Sequence, residues 1–224
     1  MRVWITRTEP GASRTADKLR ALGHDPVVAP LLDVHPLPAL IDLDGIGALA
    51  FTSANGVRAF AGRCAERALP VFTVGDATAA AARKAGFTDI ASASGDLDAL
   101  ADRIAADAAR ITGVVLAPGP REPAGDLPRA LAAQGVTARG LALYETLPVF
   151  PQGGLKGLGP VDAVLIHSPK AAERLAVVLG GKAGPAAYCI SPAAAAPLGG
   201  HPFASVAWAD HPDEDSLLGL LPPP

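Results

Sequence analysis

Six segments of this chain place small hydroxyl, glycine or cationic residues directly after a short apolar run. They are Thr6-Arg7-Thr8, Thr52-Ser53-Ala54-Asn55, Gly75-Asp76-Ala77-Thr78, Pro118-Gly119-Pro120-Arg121, Ser168-Pro169-Lys170 and Ser191-Pro192. In a parallel α/β unit such turns lie at the carboxyl ends of the strands, where ligands bind. Each also opens a helix, whose first N–H groups lack partners and carry the positive end of the helix dipole, a receptor for carboxylate or phosphate. A single turn of this kind does no more than cap a helix, as Ser, Thr and Asp do in any α/β protein. Six of them, with Arg7, Arg121 and Lys170 as added cations, point to a cleft for a polyanion.

Other chemistries are not written in the chain. Gly180-Gly181-Lys182 is followed by Ala183 rather than Ser or Thr, and the first glycine of a phosphate loop is missing. The glycines from Gly153 to Gly159 stand at the wrong offsets for a dinucleotide fingerprint and follow no strand. His24, His35, His167, His201 and His211 show no metal-ligand spacing, and only His167 falls at a strand end. No G-x-S-x-G elbow occurs. Cys64 and Cys189 form no C-x-x-C pair and read as small buried hydrophobes in a reducing compartment.

The overall balance narrows the classes further. Against 22 acidic residues stand 19 Lys and Arg, and a formal net charge of −3 argues against a duplex-wrapping or membrane-surface role. Charged residues are 18% of the chain and mean hydropathy is +0.29, which excludes intrinsic disorder. Aromatics make up only 4%, so Ala, Val, Leu and Ile must build the core. The opening Met1-Arg2-Val3-Trp4-Ile5-Thr6-Arg7 reads as a first strand, with no apolar region of signal-peptide length. The uncharged stretch 183–209 is broken by Pro185, Pro192, Pro197 and Pro202, so no spanning helix is expected there. A soluble, cytoplasmic protein is expected, with no nucleic-acid or membrane partner.

The elements that position these turns follow from periodicity. Strands are expected at 3–6, 27–31, 48–52, 71–74, 114–116, 141–144, 163–166 and 187–190. Ala-rich segments with helical spacing alternate with them, at 13–22, 55–65, 78–85, 96–109, 126–133 and 171–179, with a last piece near 216–221. Continuous apolar strands alternating with helices imply α/β architecture with parallel sheets covered on both faces. Two Pro- and Gly-rich stretches, 35–47 and 145–160, interrupt the rhythm and read as crossings between domains.

An internal repeat supports two domains. Phe51-Thr52-Ser53-Ala54-Asn55, then Val57 and Phe60, parallels Ile166-His167-Ser168-Pro169-Lys170, then Ala172 and Leu175. Phe72-Thr73-Val74-Gly75-Asp76-Ala77-Thr78 parallels Tyr188-Cys189-Ile190-Ser191-Pro192-Ala193-Ala194, and Phe87 parallels Phe203. The preserved order predicts one domain from 1–34 plus 161–224 and an inserted one over 40–148, with linkers at about 35–39 and 149–160.

In their order and spacing these motifs resemble the uroporphyrinogen-III synthase family over nearly the whole chain. The resemblance is carried by Ile5-Thr6-Arg7 with Pro30-Leu31, Phe51-Thr52-Ser53-Ala54-Asn55-Gly56-Val57, Val74-Gly75-Asp76-Ala77-Thr78, Gly86-Phe87, Leu143-Tyr144-Glu145-Thr146 and Ile166-His167-Ser168-Pro169. It implies two three-layer, flavodoxin-like α/β domains joined by a two-stranded linker. It also implies an activity: hydroxymethylbilane, a linear tetrapyrrole with eight carboxylates, is cyclised to uroporphyrinogen III with inversion of ring D and loss of water. No cofactor and no metal is implied.

Matched residue by residue, Tyr144 corresponds to the family tyrosine that assists departure of the hydroxyl. Ser53, Thr78 and Ser168 match turns that hold substrate carboxylates; Arg7, Asn55, Gly75, Lys170 and Ser191 complete the expected binding set. The chain departs from the family at Ser191-Pro192-Ala193-Ala194, where Gly-Pro followed by threonines is more usual. A monomer is expected, with transient contact to the preceding enzyme of the pathway and domain closure hinged at the two crossings. The competing readings are a non-catalytic ligand-binding or regulatory relative, a hinged periplasmic-type binding protein, which lacks a signal peptide here, and a glycosyltransferase, for which the chain is short and without nucleotide-binding features.

Overall fold

The continuous apolar runs become the strands of two sheets in the computed structural model, which describes residues 1–151 and 153–223. Gln152, inside the second expected crossing, and Pro224 lie outside the described residues. The chain opens with β1 (Arg2–Ile5), α1 (Gly11–Ala21), β2 (Asp25–Val28), β3 (Leu32–Pro36), β4 (Ile46–Phe51), α2 (Ala54–Ala61) and β5 (Val71–Thr73). There follow α3 (Asp76–Lys84), β6 (Ile90–Ser92), α4 (Leu97–Ala106), β7 (Val114–Pro120), α5 (Leu127–Ala133), β8 (Ala138–Pro148) and α6 (Gly154–Leu158). It closes with β9 (Ala163–Ile166), α7 (Pro169–Leu179), β10 (Gly184–Cys189), α8 (Pro192–Ala195), β11 (Phe203–Trp208) and α9 (Glu214–Leu218).

Two units result, Met1–Val34 with Leu147–Pro224, and His35–Thr146. In the first, the sheet order is β11-β10-β9-β1-β2 with every pair parallel. Side chains alternate across it with period two. Trp4, Val164 and Ile166 face a layer with Leu175 and Leu198, while Val3, Ile5 and Leu165 face one with Ala16, Leu19 and Leu217. Helices therefore cover both faces.

The second sheet has the order β3-β8-β7-β4-β5-β6, with β3 spanning the boundary between the two units, and β8, β7, β4, β5 and β6 pair in parallel. Ala48, Ala50, Phe72 and Val115 pack against Leu100, Ile104, Leu127 and Leu131. The scarce aromatics gather here: Phe51, Phe60 and Phe87 stack with ring centroids 5.9–6.3 Å apart. Read as β2-β1-β9-β10-β11 and β8-β7-β4-β5-β6, the two sheets correspond strand for strand.

Helix starts follow the sequence chemistry. Ser53, Asp96, Asp126, Ser168, Ser191 and Asp213 each accept a backbone N–H at the head of a helix, a contact worth about 1 kcal/mol apiece. The α7 helix stops at Gly180, whose φ of 56° is the left-handed conformation that terminates helices.

The crossings differ from their expected extent. The last two residues of β3, an edge strand beside β8, fall in the first, and β8 runs through residues 145–148, where the second begins. A sheet neighbour supplies ladder partners that composition does not reveal. Residues 149–160 fall in the first unit, where buried Leu158, with Leu155 and Val161, packs on the Trp4 cluster. Strands β6 and β11 were not anticipated; both sit at sheet edges and are at most half-buried over most of their length. Among the described residues no helix is long and apolar enough to cross a membrane.

Candidate functional site

In the second unit, fully buried β4 delivers the chain to Ser53 at its carboxyl end. Ser53 is extended (φ −158°), and its Oγ accepts the Gly56 N–H at 3.1 Å, starting α2. The same Oγ lies 3.0 Å from the Tyr144 Oη, 91 residues away on β8. Tyr144 is only 4% exposed, whereas Ser53 is half-buried. Burial raises the Tyr144 phenol above its ordinary pKa, against smaller opposing effects of Ser53 and the Arg58 cation. It is therefore protonated at neutral pH. Gly56 lets this arrangement form, since a Cβ there would stand 2.7 Å from the Pro118 carbonyl oxygen on β7.

Around this pair lie other expected residues. Asn55 Oδ1 accepts a hydrogen bond from Arg58. Gly75 heads α3 with no side-chain cap, and Thr78, in the first turn, is buried. Asp76, also in that turn, accepts from the Ser94 hydroxyl at 3.2 Å. Arg121 pairs with Glu145 at 2.8 Å, and its backbone N–H bonds the Tyr144 carbonyl at 2.8 Å. A cavity of about 410 Å³ opens at this end of the sheet, lined by Thr52, Pro118, Gly119, Arg121 and Gly140 among others.

In the first unit, Thr6 at the end of β1 donates its hydroxyl to the Leu165 carbonyl at 2.7 Å, locking β1 to β9. Arg7 does not stand alone: its Nη1 is 2.7 Å from Glu214 of α9. Glu214 also accepts from the Thr15 hydroxyl and lies 3.3 Å from His167 Nε2. Burial opposes ionisation of Glu214, but His167, Thr15 and Arg7 together hold its carboxyl well below the usual range. Burial, reinforced by Arg7, keeps His167 neutral against the pull of Glu214.

Ser168 caps α7 through the Ala171 N–H at 3.2 Å, and Lys170 follows in the first turn. Ser191 caps α8 in the same way at 3.2 Å, but that helix has only four residues. Arg7, Ser168, Lys170 and Ser191 thus occupy the carboxyl ends of β1, β9 and β10, while Ser53, Asn55, Gly75, Thr78 and Tyr144 occupy the same end of the second unit's sheet. Among the described residues no cluster of His, Cys, Asp or Glu is arranged to hold a metal.

The family model for uroporphyrinogen-III synthase (HemD) matches residues 13–219. The chain belongs to the uroporphyrinogen-III synthase family. It is accordingly an enzyme of the cyclising hydro-lyase class, acting in tetrapyrrole biosynthesis. The fold is similar to that of uroporphyrinogen-III synthetase from Helicobacter pylori, at a TM-score of 0.68 and 18% identity, covering 98% of this chain and 96% of that one. A mutant uroporphyrinogen III synthase from Thermus thermophilus is similar at a TM-score of 0.57 and 21% identity, with 98% and 96% covered. No curated relative matches the chain in sequence. In this family member, Glu214 is a residue that sequence reasoning missed. It sits 207 positions from Arg7, and in sequence its acidic run with Asp213 and Asp215 reads as nothing more than a helix start.

Proposed function

We propose that the strand ends described above hold hydroxymethylbilane and that Tyr144 is the acid of its dehydration. The observation that supports this assignment is the 3.0 Å contact between Ser53 and Tyr144, a buried phenol beside the N-terminus of α2. In the second unit the N–H groups opening α2 and α3, with Thr78, are the receptors for substrate carboxylates; in the first unit the N–H groups opening α7, with Ser168 and Lys170, are the candidates for the same role. Each contact is worth ~0.3–1 kcal/mol when exposed, so several act together. Arg7 enters as a cation fixed and partly neutralised by Glu214, and Ser191, its oxygen committed to a cap, contributes least. The protein works as a cytoplasmic monomer that takes its labile substrate by transient contact with the enzyme that makes it.

Loss of the hydroxyl leaves an electrophilic azafulvene. Attack on it by the substituted position of ring D gives a spiro intermediate, which rearranges to the inverted macrocycle. Spontaneous closure without inversion competes, so catalysis consists largely of orienting ring D. The test supplies hydroxymethylbilane, oxidises the products and separates type I from type III isomers; product that is all type I refutes the reading. Tyr144→Phe is expected to lower kcat by ~10- to 1000-fold with a smaller change in KM. Unchanged kcat would return Tyr144 to a packing role.

A further inference from the structure

We infer that Ser53 is the catalytic residue that meets the leaving hydroxyl, and that Tyr144 supplies the proton through it. The inference rests on the reading of Tyr144 as the acid. Tyr144 is 4% exposed, so the phenol lies behind its neighbours, and the hydroxyl beside it at 3.0 Å is that of half-buried Ser53. A serine hydroxyl has one proton to give and two lone pairs to offer. One lone pair is taken by the Gly56 N–H at 3.1 Å. Either hydroxyl of the pair can donate; in the inferred arrangement the second lone pair takes the Tyr144 O–H, which leaves the Ser53 proton directed away from both, toward whatever occupies the strand ends. With two donors on its oxygen, the Ser53 O–H is polarised into a stronger donor than an isolated serine.

The step balances. The hydroxymethyl C–O bond breaks, its electron pair stays on oxygen, and that oxygen takes the Ser53 proton and leaves as water. Ser53 is reprotonated from Tyr144, and the pyrrole nitrogen pair forms the exocyclic C=C of a cationic azafulvene. The substituted carbon of ring D attacks this cation, and the resulting spiro intermediate breaks that carbon's bond to the methylene that joined ring D to the chain. When the free α-carbon of ring D closes on the released methylene, it gives up its proton as the pyrrole regains aromaticity. The phenolate recovers it through the same hydroxyl.

The test is steady-state kinetics with freshly generated hydroxymethylbilane on Ser53→Ala, Ser53→Thr, Ser53→Asp, Tyr144→Phe and the Ser53→Ala/Tyr144→Phe double variant. Thermal melts check that each is folded. Ser53→Thr keeps both cap and hydroxyl and should hold kcat within a few-fold. Ser53→Asp keeps the cap without a proton to give at neutral pH, so it separates catalysis from helix stability. Ser53→Ala and Ser53→Asp should lose at least as much kcat as Tyr144→Phe, and the double variant should lose no more than Ser53→Ala. A kcat for Ser53→Ala above that of Tyr144→Phe means that the phenol meets the substrate directly, and overturns the inference. So does a raised KM at unchanged kcat, the mark of a carboxylate anchor, or multiplicative losses in the double variant. Wild-type kcat in Tyr144→Phe removes the underlying reading itself, a different outcome from any of these.

Discussion

Replacing Glu214 by Gln removes the negative charge at the centre of the Arg7–Thr15–His167 cluster while keeping the side chain's shape. Breaking a fully buried ion pair costs ~3–5 kcal/mol, and an exposed pair contributes under about 1 kcal/mol. Here the Arg7 and Glu214 side chains are 30% and 20% exposed, so the loss falls between these limits, at about 2 kcal/mol, a shift of roughly 1 M in a urea midpoint. The assay is unusually clean, because both tryptophans, Trp4 and Trp208, belong to the unit that contains the cluster. Tryptophan fluorescence therefore reports that unit alone.

The pH dependence has a definite sign. A carboxyl whose folded pKa is depressed contributes stability that is present above the unfolded value near ~4.3 and is lost as pH falls below it. His167, held neutral by burial, adds a loss as pH falls below ~6.5, and that loss is larger in Glu214→Gln, where the carboxylate's pull on the imidazole is gone. The difference between wild type and Glu214→Gln should thus stay large from pH 7 to 5 and shrink toward pH 3. A difference under about 0.5 kcal/mol at pH 7, or one unchanged down to pH 3, refutes the reasoning.

Gly56→Ala should destabilise the second unit by ~1–3 kcal/mol, because its Cβ meets the Pro118 carbonyl at 2.7 Å, and kcat should fall as Ser53 shifts from Tyr144; a variant with wild-type melting and kcat contradicts this. Gly75→Ser should do the opposite to stability: φ is an extended −164°, nothing lies within 4 Å of the new Cβ, and α3 gains the cap it lacks. The gain is roughly a few tenths of a kcal/mol, with a raised KM if the N–H groups there hold a substrate carboxylate; urea melts and KM read the two separately. Burial pushes the Cys189 thiol up to about 12, so an aromatic disulfide reagent at pH 8 should titrate half-buried Cys64 in the folded protein and reach Cys189 only on unfolding.

Apolar runs and capping residues made most of the fold legible. Strands β1, β4 and β9 are buried along nearly every residue, so their apolar runs stand out, and Ser53, Asp126 and Ser168 mark helix starts by type alone. Legibility failed at sheet edges. Strands β6 and β11 bury little, and the 145–148 end of β8 has the composition of a loop, so their place depends on neighbours far along the chain. The candidate residues could be named one at a time, but their partnerships could not. Ser53 read as a carboxylate holder, and only the fold shows that its oxygen is shared by Gly56 and Tyr144. Arg7 read as a ligand cation because nothing in the sequence links it to a carboxylate 207 residues away.

The interleaving of the two units also sets an order of events during synthesis. Strand β1 lies between β2 and β9 in its sheet, yet β9 leaves the ribosome roughly 130 residues after β2, on the order of 10 s later at ordinary elongation rates. During that interval His35–Thr146 is made as one uninterrupted segment with all of its own strands from β4 to β8 available. Val3, Trp4 and Ile5 meanwhile have no β9 to pair with and no Leu175 or Leu217 to pack on. The inserted unit therefore has its strands β4 to β8 together before β1 has its second neighbour, and β1 waits with that apolar edge open.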